Sequence, residues 1–175
     1  LASVGAYAEA GTIKLTATNN IFNQTNEAVV INPANFHTYK SIIAVAYVGG
    51  NTVINSSNNQ FSQVVNNQNV GATSVSAIVA SAFSVPTSIV TVTSQGDVFT
   101  QNIAVSGDNV QVNAVVLQAD SQNNGSAALN IIGDKFNINA QATGNNALTD
   151  VIGASSGFGP MAVINLSLGN VFNVH

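Results

Sequence analysis

Few residues of this chain could carry out enzyme chemistry, and the nearest match to a catalytic motif is Gly153-Ala154-Ser155-Ser156-Gly157. It fits the G-x-S-x-G pattern, in which a strained strand-to-helix turn presents a nucleophilic serine. Hydrolases of that kind place an acid and then a histidine after the serine. Here no Asp or Glu follows Asp150, and the only later histidine is His175. No helical pattern follows either, so we interpret the segment as a loop of small residues and expect no catalytic residues.

The residue types that hold metals are equally sparse. His37 and His175 are the only imidazoles, there is no cysteine, and neither histidine has a partner at metal-ligand spacing. Paired-carboxylate chemistry and calcium loops both need acids at close spacing. The seven acids are instead dispersed as Glu9, Glu27, Asp97, Asp108, Asp120, Asp134 and Asp150. The sequence therefore predicts no enzyme, no metal site and no cofactor.

Composition narrows the class of partner. Charged residues make up 6% of the chain and hydrophobic residues 46%, and the net charge is -4. Only Lys14, Lys40 and Lys135 could meet a phosphate backbone, which excludes nucleic acid as a partner. The polar remainder is Asn, Gln, Ser and Thr, a surface that does little to repel other copies of itself. No apolar run reaches about 18 residues, so we expect no membrane span.

Two features indicate an exported protein. The chain starts at Leu1 without Met and without a leader pattern, as a mature chain does after its signal is removed. It also contains four Asn-x-Ser/Thr acceptor sites, which predict N-glycosylation of a surface outside the cell. The four acceptors are Asn23, Asn55, Asn124 and Asn165.

The elements that position these residues follow from a short phrase that recurs five times. It reads Asn-Asn-Ile-Phe, Asn-Asn-Gln-Phe, Gly-Asp-Val-Phe, Gly-Asp-Lys-Phe and Gly-Asn-Val-Phe. A near-constant period of this size is the signature of a repeat architecture. Asn and Gly at the start of each phrase tolerate the positive φ that a tight turn requires. The phrases end at Phe22, Phe61, Phe99, Phe136 and Phe172, which we expect to be core residues.

Each phrase lies between two segments that resemble strands. Residues 12–18 alternate strictly, and residues 52–57, 88–94, 127–132 and 161–168 hold the same place before later phrases. Short apolar runs at 41–48, 74–84, 113–119 and 147–154 precede them. Helix signals are scarce, and 74–84 is the best helical candidate. The sequence predicts one all-β domain spanning residues 1–175.

One architecture that fits is a β-solenoid in which each unit of about 37 residues stacks on the last. Residues 92–102 and 126–142, with Gly/Asn turns between alternating strands, resemble the Fap and curli type of bacterial functional amyloid. That resemblance implies stacked phenylalanines with Asn and Gln ladders beside them. Stacking would also place Asp97 over Asp134, an unfavourable contact unless Lys135 or a cation offsets it.

The other architecture is an antiparallel β-sandwich, in which each phrase closes a hairpin. Residues 1–10 would then be an N-terminal arm that pairs with the next subunit. Ala10-Gly11-Thr12-Ile13-Lys14-Leu15 resembles the early strand of TasA-like and archaeal donor-strand pilins, and residues 39–51 resemble a later strand of the same proteins. That resemblance also implies a pilus-like filament.

Both architectures favour the same function. We expect a structural subunit of an extracellular filament, a homopolymer whose further partners are glycans or other cell-surface proteins. The alternative is a monomeric carbohydrate-binding or adhesin module.

Overall fold

The computed structural model describes residues 2–29, 37–48, 51–68, 74–84, 89–121, 125–157, 161–167 and 169–175, and this part of the chain is all-β. Its strands are β1 Ala2–Ala10, β2 Ile13–Thr18, β3 Ile21–Val29, β4 His37–Val48, β5 Thr52–Ser57, β6 Gln60–Gln68, β7 Ser74–Ser84, β8 Ile89–Gln95, β9 Val98–Ser106, β10 Gln111–Ser121, β11 Ser126–Ile132, β12 Lys135–Thr143, β13 Leu148–Gly157, β14 Met161–Leu166 and β15 Val171–Val174. Within the described ranges no helix is long and apolar enough to cross a membrane.

Every third strand belongs to the same sheet. Sheet A has the order β1-β4-β7-β10-β13, sheet B β2-β5-β8-β11-β14 and sheet C β3-β6-β9-β12-β15. All of the pairings between described strands are parallel, so the expected antiparallel sandwich is wrong. Three consecutive strands form one unit, and units 1 to 5 (β1–β3 to β13–β15) pair in sequence order.

The repeated turn is a corner and not a hairpin. A type I′ hairpin needs positive φ at both central residues. Here only the first residue of each phrase has it: Asn19 and Asn58 at 56° and 53°, Gly96 and Gly133 at 66°, and Gly169 at 94°. Type I′ is therefore excluded, and β2 pairs with β5 while β3 pairs with β6. At each phrase the chain passes from sheet B into sheet C.

All three sheets contribute to one hydrophobic core. Strands β5, β6 and β8 alternate buried and partly buried or exposed residues along their length, as one-faced strands do. Ile54 and Val92 of sheet B pack in the same cluster as Phe99 of sheet C and Val112 of sheet A. The core therefore lies between the sheets, and their outer faces carry many Asn, Gln, Ser and Thr side chains together with exposed apolar residues such as Ile89 and Ile132.

Three segments for which the sequence left a specific question all form strands, and one of them differs from the expectation. Residues 153–157 lie inside β13, which pairs with β10, and are not the expected loop. Residues 74–84, the best helical candidate, form β7 in the middle of sheet A. Residues 2–10 form β1, which pairs with β4 of the same chain. Use of this segment as an arm between subunits stays a prediction, since it would require β1 to leave β4.

Candidate assembly edges and the polar column between them

The five phenylalanines of the repeated phrase form a continuous stack, the Phe column. Ring centroids of successive members lie 4.8, 5.0, 5.1 and 4.5 Å apart, with planes inclined by 21° at most. Phe61, Phe99 and Phe136 are buried, as the sequence predicts. Phe22 is half-buried and Phe172 is 45% exposed, because each has a neighbouring ring on one side only.

A column of polar side chains runs beside the rings, formed by the second residue of each phrase and called here the turn column. Its members are Asn20, Asn59, Asp97, Asp134 and Asn170. Each backbone N–H donates to the side-chain Oδ1 of the next member, over 2.8, 2.6, 2.8 and 2.8 Å. The column therefore has a direction, since every N–H points towards the next unit and every Oδ1 accepts from the previous one.

The asparagines of this column hold the corner through a second contact. The Asn59 side-chain amide donates to the carbonyl oxygen of Ala17 and to Ser56 Oγ, both at 2.9 Å. The Asn170 amide donates in the same way to the carbonyl oxygen of Ile131, one unit back, over 3.0 Å. An amide at this position thus ties two adjacent units together through both its oxygen and its nitrogen.

The two aspartates of the column differ in their surroundings. Asp97 Oδ2 accepts a hydrogen bond from Ser94 Oγ at 2.7 Å, whereas Asp134 Oδ2 is buried without a hydrogen-bond partner. Burial raises the pKa of Asp134 from 3.8 to about 6; the Ser94 hydroxyl and the Asp97 backbone N–H oppose the rise, and the charge of Asp97 adds to it. The stacked acids therefore disfavour each other's ionisation, as expected, and the exposed Lys135 is not among the groups that shift this pKa.

Glutamines continue the ladder in the core of sheet C. Gln63 donates to Gln24 over 2.7 Å, and Gln101 donates to Gln63 over 2.9 Å. All three side chains are buried, and the equivalent residue of unit 4 is Ile138. Amide-to-amide bonds of this kind require the same register in successive units, so the ladder fixes the alignment of units 1 to 3.

A second polar corner, between sheets C and A, was missed in the sequence. Asp108 Oδ1 accepts the backbone N–H of Asn145 at 2.8 Å, and the Asn146 amide donates to Asn109 Oδ1 at 3.0 Å. Asn109 and Asn146 both have φ of 56°. The signal was present as Gly107-Asp108-Asn109 and its counterpart at 144–146, 37 residues apart.

Among the described strands, β13, β14 and β15 pair on one side only, with unit 4, and their other side is called here the C-terminal edge. All four residues of β15 are exposed, including Val171 at 43% and Val174 at 52%. Val171 donates its N–H to the carbonyl oxygen of Asp134, just before β12, and His175 donates to that of Ile138 within β12. Because successive residues of a strand present their N–H groups to opposite sides, Phe172 and Val174 direct theirs away from the sheet.

The first unit leaves a matching edge, formed by β1, β2 and β3 and called here the N-terminal edge. Ile21 at its turn is 68% exposed. Inside the molecule, the residue after each turn-column member donates its N–H to the member of the previous unit, as Gln60 does to Asn20 at 2.9 Å. Ile21 holds the equivalent position in unit 1, so its N–H points out of the edge.

The remaining predicted residues are spread over the surface. Asn23 and Asn165 are exposed and Asn55 is half-buried, all three within strands, while Asn124 lies outside the described residues. The Asn165 amide donates to Asn130 Oδ1 at 2.8 Å. His37 begins β4, and only the backbone of His175 pairs with β12. The described residues bring no three His, Cys, Asp or Glu side chains together as a metal site would.

Residues of β6, β9 and β12 in sheet C line a shallow groove of about 230 Å³. Amide and hydroxyl side chains dominate its lining, together with Ala104 and Val105, and the lining contains no charged and no aromatic residue. Its polar lining is Asn66, Asn67, Gln68, Ser106, Gln141 and Thr143. Comparison of the chain with protein-family models, with curated proteins and with solved structures found no match.

Proposed function

We propose that this protein is the structural subunit of an extracellular filament. Its chain would form a five-unit β-solenoid, and copies would join by β-strand pairing between the C-terminal edge of one and the N-terminal edge of the next. The observation that carries the proposal is the match between these edges. Each bears one half of a contact that the molecule already makes four times between its own units.

The polar groups at the two edges are complementary in direction. Every internal turn-column N–H is bound by the Oδ1 of the following unit. A second copy that continued the series would bring its Asn20 Oδ1 to the N–H of Asn170. Its Ile21 N–H would meet the Asn170 carbonyl oxygen, as the Val171 N–H meets that of Asp134 at 2.9 Å inside the chain. No new kind of contact is needed.

The apolar groups match as well. Phe172 exposes the ring face that Phe22 of an incoming copy would cover, which extends the Phe column across the junction. Both acids of the turn column lie in units 3 and 4, so the junction would bring together Asn170 and Asn20, which are uncharged. The strands of the C-terminal edge contain a single charged residue, Asp150. Soluble proteins protect such edges with lysines, prolines or bulges.

Pairing of two different edges is a heterologous contact, and a heterologous contact that does not close on itself generates an open filament. The subunits would all point the same way, which gives the filament two unlike ends. Exposed sequons at Asn23 and Asn165 support a location outside the cell, where glycans or other surface proteins would be further partners.

Electron microscopy of the purified chain tests the proposal. We expect unbranched filaments with a subunit repeat of roughly 24 Å, since five strands per sheet stack at about 4.8 Å each. Fibre diffraction should show the strand spacing along the filament axis. Dispersed particles under all conditions would contradict the proposal.

Proline variants test which edges meet. Val174→Pro removes an outward N–H from the C-terminal edge, and Ile21→Pro does so at the N-terminal edge, while the internal pairing stays intact. Neither variant should form filaments alone. A mixture should give heterodimers and nothing longer, because each variant retains one functional edge. Val174→Ala and Ile21→Ala keep the N–H groups and should still polymerise.

The alternative function is a monomeric carbohydrate-binding or adhesin module, and the groove on sheet C is the observation that favours it. Its amide and hydroxyl lining suits a neutral sugar. Glycan-array binding by a monodisperse monomer that is lost in Gln141→Ala would favour this function over the filament.

A further inference from the structure

Asp134 differs from Asp97, the other acid of the turn column, in one structural respect. The residue three positions before Asp97 is Ser94, which carries a hydroxyl, but the residue three positions before Asp134 is Ile131. Ser94 donates its proton to Asp97, which leaves the ionised form of Asp97 hydrogen-bonded. Ile131 is buried and has nothing to donate. The Ser94 hydroxyl, which opposes the rise in the pKa of Asp134, has a single proton and donates it to Asp97, so Oδ2 of Asp134 has no hydrogen-bond partner.

The asparagines of the column show what a proton on this oxygen would do. Asn59 and Asn170 each donate from their side-chain nitrogen to a backbone carbonyl one unit back, that of Ala17 and that of Ile131. In the strand register, Ala17, Ser56, Ser94 and Ile131 occupy one column of sheet B. The carbonyl of Ser94 is therefore the equivalent acceptor for Asp134. A neutral carboxyl group has the same shape as the amide and can donate to it.

We propose that Asp134 is a proton-binding site that controls the stability of the last two units, holding them in place when it is protonated and loosening them when it is ionised. In the neutral form the O–H of Asp134 donates to Ser94, and the side chain acts as an asparagine does elsewhere in the column. In the ionised form Oδ2 is a buried charge without a donor, which is unfavourable.

The surroundings of Asp134 offer no compensating cation. The ionisable group that faces it is Asp97, from the turn between β8 and β9, and its charge has the same sign. On its own turn, Lys135 is exposed with its side chain on the outer face. Asn170, from the turn before β15, presents an uncharged Oδ1 to the Asp134 N–H at 2.8 Å.

The sign of the effect follows from linkage. Burial raises the pKa of Asp134 from 3.8 to about 6, so the folded chain binds this proton more tightly than the unfolded chain. The stability that the proton confers is fully present below about pH 4 and is lost as the pH rises to about 6. The folding equilibrium constant should fall on the order of a hundredfold across that window from this group alone.

The consequence for assembly rests on the proposed function. Unit 5, which carries the C-terminal edge, pairs with unit 4 in all three sheets, and Asn170 Oδ1 accepts the backbone N–H of Asp134. A unit 4 that is held firmly against unit 3 therefore also holds unit 5 in place. A copy with a well-ordered unit 5 presents the edge on which the next copy docks. Acidic conditions should therefore favour elongation, and the same chain at neutral pH should elongate more slowly.

The first experiment compares Asp134→Asn with its parent by denaturant unfolding of the full chain at pH 3.5 and pH 8. Both proteins carry Val174→Pro, so that folding is measured without polymerisation. The variant mimics the protonated state, and its folding constant should exceed that of the parent by on the order of a hundredfold at pH 8 and be nearly equal at pH 3.5. Asp108→Asn, the same change at an exposed corner, should show no such difference. An equal effect of Asp134→Asn at both pH values would overturn the proposal.

A second experiment supplies the missing donor. Ile131→Thr places a hydroxyl beside Asp134 while keeping a branched side chain. Its overall stability should fall, but the gap in stability between pH 3.5 and pH 8 should shrink. Carboxyl-carbon NMR of the parent should show one aspartate titrating near pH 6 that vanishes in Asp134→Asn. Absence of that titration refutes the proton site even if filaments form, while its presence in a chain that never polymerises refutes only the filament.

Discussion

Phe99 and Phe172 hold the same position of the same repeated phrase, yet one is fully buried and the other is 45% exposed. Phe99 stacks on rings of the units before and after it, at 5.0 and 5.1 Å. Phe172 has one such neighbour, Phe136 at 4.5 Å. The residue type and the local sequence are alike, so the difference arises only from the place of the unit in the stack.

The turn column shows the same contrast. The Asn59 N–H and side chain are bound on both sides, to Asp97 and to Asn20. At the ends, Asn20 has no unit before it and Asn170 has no unit after it in this chain. An interior unit thus makes all of its column contacts within the chain. An end unit makes half of them within the chain, and the groups of the other half are exposed where a second copy could bind. Variants at equivalent positions can separate the two roles.

The largest effect should come from the Phe column. Phe99→Ala removes a buried ring and leaves a cavity between two others, so the free energy of unfolding should fall by about 3–5 kcal/mol. Phe172→Ala, at a half-exposed position, should cost only about 1 kcal/mol. Denaturant unfolding of both variants measures the difference.

The effect of Phe172→Ala on filament formation should be much larger than its effect on stability. Phe172→Ala should remain folded and lose elongation, because the ring that an incoming Phe22 covers is gone. A Phe172→Ala protein that polymerises as well as the parent would show that the C-terminal edge is not a docking surface. Phe172→Tyr, which retains the stacking face, serves as the matched control.

The next effect concerns the turn column. Asn59→Ala leaves the Asn20 N–H and the Ala17 carbonyl without their buried partner and should cost roughly 2–3 kcal/mol. Asn20→Ala removes an exposed side chain whose amide meets only Thr18, at 3.0 Å, and should change stability by less than about 0.5 kcal/mol. Its elongation should still be slower, since its Oδ1 is the proposed acceptor for Asn170. Thermal melts measure the stability and seeded growth measures the elongation rate. Equal losses of stability in Asn59→Ala and Asn20→Ala would contradict the difference between interior and end units.

Much of the fold could be predicted from the sequence because the sequence repeats at a nearly constant interval. The phrase occurs at regular steps, Phe is the largest residue in it, and alternation around it defines an inner face. The direction of pairing could not be predicted in the same way. Asn-Asn and Gly-Asp suit both a hairpin turn and a corner between two sheets, and which of them forms depends on the strands that pair on either side.

The ionisation of the stacked aspartates could not be predicted from the sequence either. Stacked Asp97 and Asp134 argue against a parallel stack if both are ionised, and this argument favoured the wrong architecture. Burial changes the premise, since it raises the pKa of Asp134 to about 6. The depth of a side chain and the donors around it are properties of the assembled units. The corner at Asp108 and Asn145 was missed for a simpler reason, because only two described units display it.

The next prediction compares the corner between sheets C and A, which contains Gly144, with the corner between sheets B and C, which contains Gly133. A Cβ on Gly144, where φ is +143°, would collide with the backbone carbonyl of Gly107 in the unit before it. Gly144→Ala should therefore cost about 2 kcal/mol or more. Gly133→Ala meets nothing within 4 Å at a φ of +66°, so it should cost only the left-handed strain of about 1 kcal/mol. Unfolding midpoints that place Gly133→Ala below Gly144→Ala would contradict the close approach of units 3 and 4 at this corner.

The smallest effect should be found at the third residue of the phrase, which faces outward in every unit. Its five residues are Ile21, Gln60, Val98, Lys135 and Val171, and this variety follows from their exposure, since no unit depends on the side chain there. Lys135→Gln should change the free energy of unfolding by less than about 0.5 kcal/mol. It should also leave the pH profile unaltered, because Lys135 is not among the groups that shift the pKa of Asp134. A Lys135→Gln protein that lost stability mainly above pH 6 would show that this lysine compensates the buried acids after all. Charge on the outer face and charge in the turn column would then no longer be independent.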